Sequence, residues 1–82
     1  MLDTKTVGTI LRETRRQRGL TQRQLAKAAH VGENSVTRYE RGQSDPPLDA
    51  LIRIADALDV RLSYLLLLAE NRANANARTE GR

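Results

Sequence analysis

The segment Gly19 to Gly42, GLTQRQLAKAAHVGENSVTRYERG, constrains this chain more than any other. Thr21 suits a helix N-cap because its hydroxyl accepts from a backbone N–H one turn on, and Gln24 stands where a capping box places its return bond. A helix is therefore expected from about Gln22, with Leu25, Ala26 and Ala29 on one face. A second pattern begins at about Glu33, turns Val36 and Tyr39 inward, and stops at Gly42, a residue suited to the left-handed position just past a helix. Only His30 to Gly32 remains for the turn. Two helices joined so tightly must cross steeply, and small residues such as Ala26 let their backbones approach. That is the arrangement of a helix-turn-helix.

Around this segment the chain reads as further helices. Thr4 is a candidate cap for a first helix from about Lys5 to Arg18, with Val7, Ile10, Leu11 and Thr14 at helical spacing and Gly19 ending it. Arg12, Arg15, Arg16 and Arg18 crowd its second half, where cations suit the negative end of the helix dipole. After Gly42 the run Gln43-Ser44-Asp45-Pro46-Pro47 reads as a loop, with Pro47 suited to the first turn of the next helix. Leu48, Leu51, Ile52, Ala55 and Leu58 form an apolar stripe with Asp49, Arg53 and Asp56 facing out, which predicts a fourth helix from about Leu48 to Leu58. A fifth is expected from Leu62 to about Asn71. Its run of Tyr64, Leu65, Leu66, Leu67 and Leu68 cannot all face one core, because consecutive residues are rotated by about 100° on a helix. Residues 71–82, NRANANARTEGR, are poor in apolar side chains and are expected to form a flexible tail, a frayed extension of helix 5 passing into disorder.

Composition narrows the chemistry. Cysteine is absent and a single histidine is present, so disulfides, thiolate metal sites and cysteine nucleophiles are excluded, and no metal site or cofactor is expected. No histidine–carboxylate constellation or glycine-rich phosphate loop appears, which argues against an enzyme. With no phenylalanine or tryptophan, the core must be aliphatic. Residues 1–42 carry nine Lys/Arg against four Asp/Glu, whereas residues 43–82 carry five against six. The basic half is the half with the motif, which suits a phosphate-rich partner. No apolar run is long enough to span a membrane and the N-terminus lacks a signal-peptide core, so a cytoplasmic chain is expected.

The residues LTQRQLA, followed by V-x-x-x-x-V-x-RYERG, resemble the helix-turn-helix of the Cro/C1-type (XRE-type) repressor family. Thr21, Gln22, Leu25, Ala26, Val31, Val36, Tyr39, Glu40 and Gly42 fall in family register, over a match from about residue 10 to residue 66. Two positions depart: His30 stands where the family has glycine, and Gly32 where it has serine or threonine. Histidine is among the residues that visit positive φ, and glycine is an acceptable N-cap. The resemblance implies an all-α, compact five-helix lambda-repressor-like DNA-binding domain over residues 1–70, with the helix-turn-helix at about 21–41. It further implies that helix 3 lies in the major groove of double-stranded DNA, with helix 2 crossing the backbone.

On that implication Glu33, Asn34, Ser35, Thr37 and Arg38 face the bases, with Arg38 matched to guanine, Asn34 to adenine and Glu33 to cytosine. Thr21, Gln22, Arg23, Arg41, Gln43 and Ser44 fall to the phosphates, where they position rather than specify. The resemblance also pairs Arg15 with Glu40 and gives the fifth helix, through Leu66, Leu67 and Leu68, a part in a homodimer. The implied function is a sequence-specific transcriptional regulator, a homodimeric repressor reading a palindromic operator. A second reading makes the chain an antitoxin or interaction module whose protein partner docks on helix 5 and the tail.

Overall fold

The computed structural model describes residues 1–80, which form five helices: α1 (Thr4–Gln17), α2 (Gln22–Ala29), α3 (Glu33–Glu40), α4 (Leu48–Ala57) and α5 (Leu62–Glu80). Arg82 and Gly81, the end of the expected tail, lie outside the described residues. One aliphatic core joins all five: Ile10 and Leu11 from α1, Leu25, Ala26 and Ala29 from α2, Val36 from α3, Leu51, Ile54 and Ala55 from α4, and Leu65 and Ala69 from α5. Burying a leucine or isoleucine side chain contributes about 1.5–3 kcal/mol. Packing runs from α1 to α3 and α5, and from α2 to α3 and α4, so α3 is held from two sides.

Helix ends follow from backbone chemistry. The capping box of α2 is complete: Thr21 Oγ1 accepts from Gln24 N at 3.0 Å, and Thr21 N donates to Gln24 Oε1 at 2.9 Å. After α3, Gly42 takes φ +70°, Gly42 N donates to Tyr39 O and Gln43 N to Arg38 O, the two bonds of a Schellman cap. Gly19 closes α1 in the same way, its N donating to Arg16 O and Leu20 N to Arg15 O. The same caps close α2 and α4 on residues with a side chain, His30 at φ 55° and Asp59 at φ 56°. The first was expected through the resemblance, since the family has glycine there; the second was not.

Four expectations need correction. The cap of α1 is Asp3, whose Oδ1 accepts from Thr6 N at 2.7 Å, and hydrogen bonds from Thr6 hold this carboxyl below its ordinary range. Thr4 lies inside the helix and donates instead to Asp45 in the loop after α3. Pro47 is the N-cap of α4, one position outside the first turn. On α4 the buried stripe is Ala50, Leu51, Ile54 and Ala55, while Leu48 is 66% exposed and Ile52 44%. A short helix with apolar residues at eight of eleven positions from 48 to 58 has no unique phase, and packing against α2 and α5 selects one. Finally, α5 runs on past Asn71 to Glu80, because Ala73 is buried and Arg72 forms a two-pronged bond to Glu13 of α1, both oxygens at 2.9 Å.

Candidate nucleic-acid interface

The interface is built from the back of α3 outward. Gly8 of α1 lets the two helices touch: a Cβ there would lie 2.2 Å from Tyr39 O and 2.9 Å from Glu40 O. This close approach brings Arg15 of α1 onto Glu40 of α3. Arg15 Nε donates to Glu40 Oε2 at 2.7 Å and Nη2 to Oε1 at 3.0 Å, with the two side chains only 8% and 2% exposed. A buried ion pair is tolerable only when its remaining valences are met. Here they are, since Arg15 Nη1 donates to Leu20 O at 2.8 Å and Gln22 Nε2 donates to Glu40 Oε1 at 3.0 Å.

With its inner face clamped, α3 turns the other side to solvent. At about 100° per residue, Asn34, Arg38 and Arg41 fall within roughly 60° of one another on the helix. All three are exposed, as is Glu33 at the first turn. Arg38 Nη2 donates to Ser35 Oγ at 3.3 Å, and Ser35 is half-buried. Arg41 makes no ion pair among the described residues, nor does Arg23 at the exposed start of α2. The strip therefore combines one amide and two guanidiniums, groups that reach base edges and phosphates with directed donors.

Several expected contact residues are engaged within the protein. Thr37 is half-buried and its hydroxyl donates to Gln22 Oε1 at 2.9 Å, with Glu33 O also in reach at 3.2 Å. It is turned to α2 rather than to the exposed strip. Ser44 Oγ is buried with no hydrogen-bond partner among the described residues, so its hydroxyl is not presented to a DNA backbone in this conformation. Thr21 Oγ1 serves the α2 cap, and the carboxamide of Gln22 lies between Glu40 and Thr37. Gln43 is exposed and its backbone N–H closes the α3 cap. Sequence reasoning missed Gly8, for which helical spacing holds no signal, and Arg53, whose Nε donates to Ala29 O at 3.0 Å and caps the end of α2. Arg53 also bonds Asp49 at 3.2 Å, which holds that carboxyl below its ordinary range.

On α5, Tyr64 and Leu67 are each 51% exposed, whereas Leu66 and Leu68 pack partly against the core. No helix among the described residues is long and apolar enough to cross a membrane. Nor do the described residues gather three or more histidine or carboxylate side chains in a group able to hold a metal.

A family model described as helix-turn-helix (HTH_3) matches residues 11–65. The chain belongs to the helix-turn-helix family. Its fold is that of DNA-binding transcriptional regulators. The chain is 35% identical over 60 residues to the HTH-type transcriptional regulator ImmR of Bacillus subtilis, covering 73% of this chain and 47% of that protein. With the immunity repressor protein of Bacillus phage phi105 it shares 33% identity over 79 residues, covering 92% of this chain and 55% of the relative. It thus spans about half the length of the curated relatives it matches. Among solved structures, the clp gene regulator ClgR from Corynebacterium glutamicum superposes with a TM-score of 0.90 at 27% identity, over 95% of this chain and 83% of that one. The restriction–modification controller protein C.AhdI from Aeromonas hydrophila gives 0.74 at 34% identity, over 76% and 94%.

Proposed function

We propose that this helix-turn-helix domain is a sequence-specific reader of double-stranded DNA that acts as a homodimeric repressor on a palindromic operator in the cytoplasm. The observation that carries the reading is the solvent-facing strip of Asn34, Arg38 and Arg41 on a helix whose opposite face is clamped by the buried Arg15–Glu40 pair. A reading head needs both: side chains free to meet bases and a backbone that does not yield when they do. In this proposal α3 enters the major groove, Arg38 takes guanine O6 and N7, Asn34 takes adenine, and Glu33 accepts from cytosine. Ser35 stands beside Arg38. Arg23, Arg41 and Gln43 meet phosphates, joined by Thr21, and Gln22 approaches the backbone from the head of α2.

A single small module has limited affinity, and two copies spaced about one helical turn apart read two half-sites. The dimer face is assigned to α5, with Leu67 and Tyr64 at its centre and Leu66 and Leu68 contributing what the core leaves uncovered. Immunity repressors and restriction–modification controllers among the similar proteins support the regulatory role.

The test is selection of binding sites from a random duplex pool at stated salt, with the full chain and with Arg38→Ala. The expected result is a palindrome whose preference relaxes at one symmetric pair of positions in the variant, at a cost of about 1–3 kcal/mol per contact. Recovery of no common sequence, with binding that fades as salt rises, would leave only a nonspecific anchor and favour a protein partner on α5.

A further inference from the structure

The carboxamide of Gln22 occupies a position with only one sensible orientation. Glu40 is a carboxylate and accepts only, so the amide must turn its nitrogen toward it, and Nε2 lies 3.0 Å from Glu40 Oε1. The amide oxygen is then forced to the opposite side, where the Thr37 hydroxyl reaches it at 2.9 Å. Glu40 itself does not move, because Arg15 holds both of its oxygens in a site where the carboxylate side chain is 2% exposed. A chain of bonds thus runs from α1 through α3 to the first residue of α2, fixed at each step. One of the two Nε2 hydrogens is spent on Glu40. The other has no partner among the described residues, and Gln22 is half-exposed at the helix N-terminus, where backbone N–H groups and the helix dipole favour an anion.

We infer that Thr37 is a positioning residue that locks the Gln22 carboxamide so that its remaining N–H is delivered to a DNA phosphate, and that Thr37 reads no base. This rests on the DNA-reading function proposed above and assigns a role within it. Without the hydroxyl, the amide keeps only its bond to Glu40 and rotates about it, so the outward hydrogen no longer has a fixed direction. The consequence is a loss of affinity common to all sequences. Gln22 is neutral and its contact releases no counterion, so the salt dependence of binding is unaffected, unlike the effect of losing Arg23 or Arg41.

The experiment uses the full chain, the duplex recovered by the wild-type protein in the selection above, and a shuffled duplex of the same composition. Thr37→Val should weaken binding to both duplexes by about fivefold to tenfold, the value of one directed hydrogen bond, with the same slope of log affinity on log salt. Thr37→Ser should restore wild-type affinity. In a Gln22→Ala background Thr37→Val should have no further effect. The thermal midpoint of each variant separates lost positioning from lost folding, because a merely structural threonine would cost the same with or without Gln22.

A change in base preference for Thr37→Val, or an equal loss in the Gln22→Ala background, overturns the assignment while leaving the DNA-reading function intact. A wild-type protein with no preference between the two duplexes removes both.

Discussion

Helix α1 carries one partner of each of two arginine–glutamate pairs, and the two differ in almost everything except chemistry. Arg15 grips Glu40 of α3 where the side chains are 8% and 2% exposed, and the pair is completed by Leu20 O and Gln22. Glu13 meets Arg72 of α5 with two bonds as well, here end-on through Nη1 and Nη2, at 39% and 41% exposure. In the buried pair each charge depends on the other, since water cannot replace a lost partner. In the exposed pair water stands ready on both sides, so the bond steadies the middle of α5 against α1 without deciding whether the domain folds. The same kind of pair therefore fixes α3 from one face of α1 and only steadies α5 from another.

Substitutions on both sides test that contrast. The largest effect is expected from Glu40→Ala, which strands the Arg15 guanidinium in the interior and should cost about 3–5 kcal/mol, measured by urea denaturation. Replacing both partners, Arg15→Met with Glu40→Leu, should recover much of that stability while DNA affinity stays reduced, because Gln22 has lost the carboxylate that orients it. Equal stability losses for Glu40→Ala and Arg72→Ala would end the distinction between the two pairs.

Next in size is Gly8→Ala, which leaves both ion pairs chemically intact but separates α1 from α3, because its Cβ would enter the space of Tyr39 O at 2.2 Å. Overpacking against backbone should cost about 1–3 kcal/mol and lower DNA affinity beyond what the stability loss explains. A neutral outcome would mean that α3 is not seated by this contact.

The smallest effect belongs to Glu13→Gln. Hydrogen bonding from Arg72 holds the Glu13 carboxyl below its ordinary value of 4.5 in the folded chain. A carboxyl with a depressed folded value contributes stability that is complete above its unfolded value and is lost as pH falls through the folded one. The variant should therefore be slightly less stable than the wild type at neutral pH and converge with it in acid, so that its thermal midpoint declines less steeply below about pH 4.5. An undiminished acid-side decline would assign it to other carboxylates, such as Asp3 and Asp49, whose values are also lowered.

Local chemistry alone determined a good deal of this protein. The capping box of Thr21 and Gln24 and the glycine stops at Gly19 and Gly42 depend on atoms within a few residues of each other, so they can be read in a line of letters, whereas the left-handed His30 was anticipated only through the glycine of the resembled family. The pairing of Arg15 with Glu40 could be anticipated only through the family resemblance, since 25 residues separate the partners.

Tertiary structure decided the rest, because those choices are made between elements. The phase of α4 depends on which neighbours it meets, and they bury Ile54 while leaving Ile52 exposed. The extra turns of α5 depend on Ala73 finding the core and Arg72 finding Glu13. Whether Thr37 faces a groove or Gln22 is settled by how α2 crosses α3, and no periodicity within an eight-residue helix encodes that crossing. Sequence specifies a helix through short-range hydrogen bonds; its rotation about its own axis is set by the surfaces it is packed against.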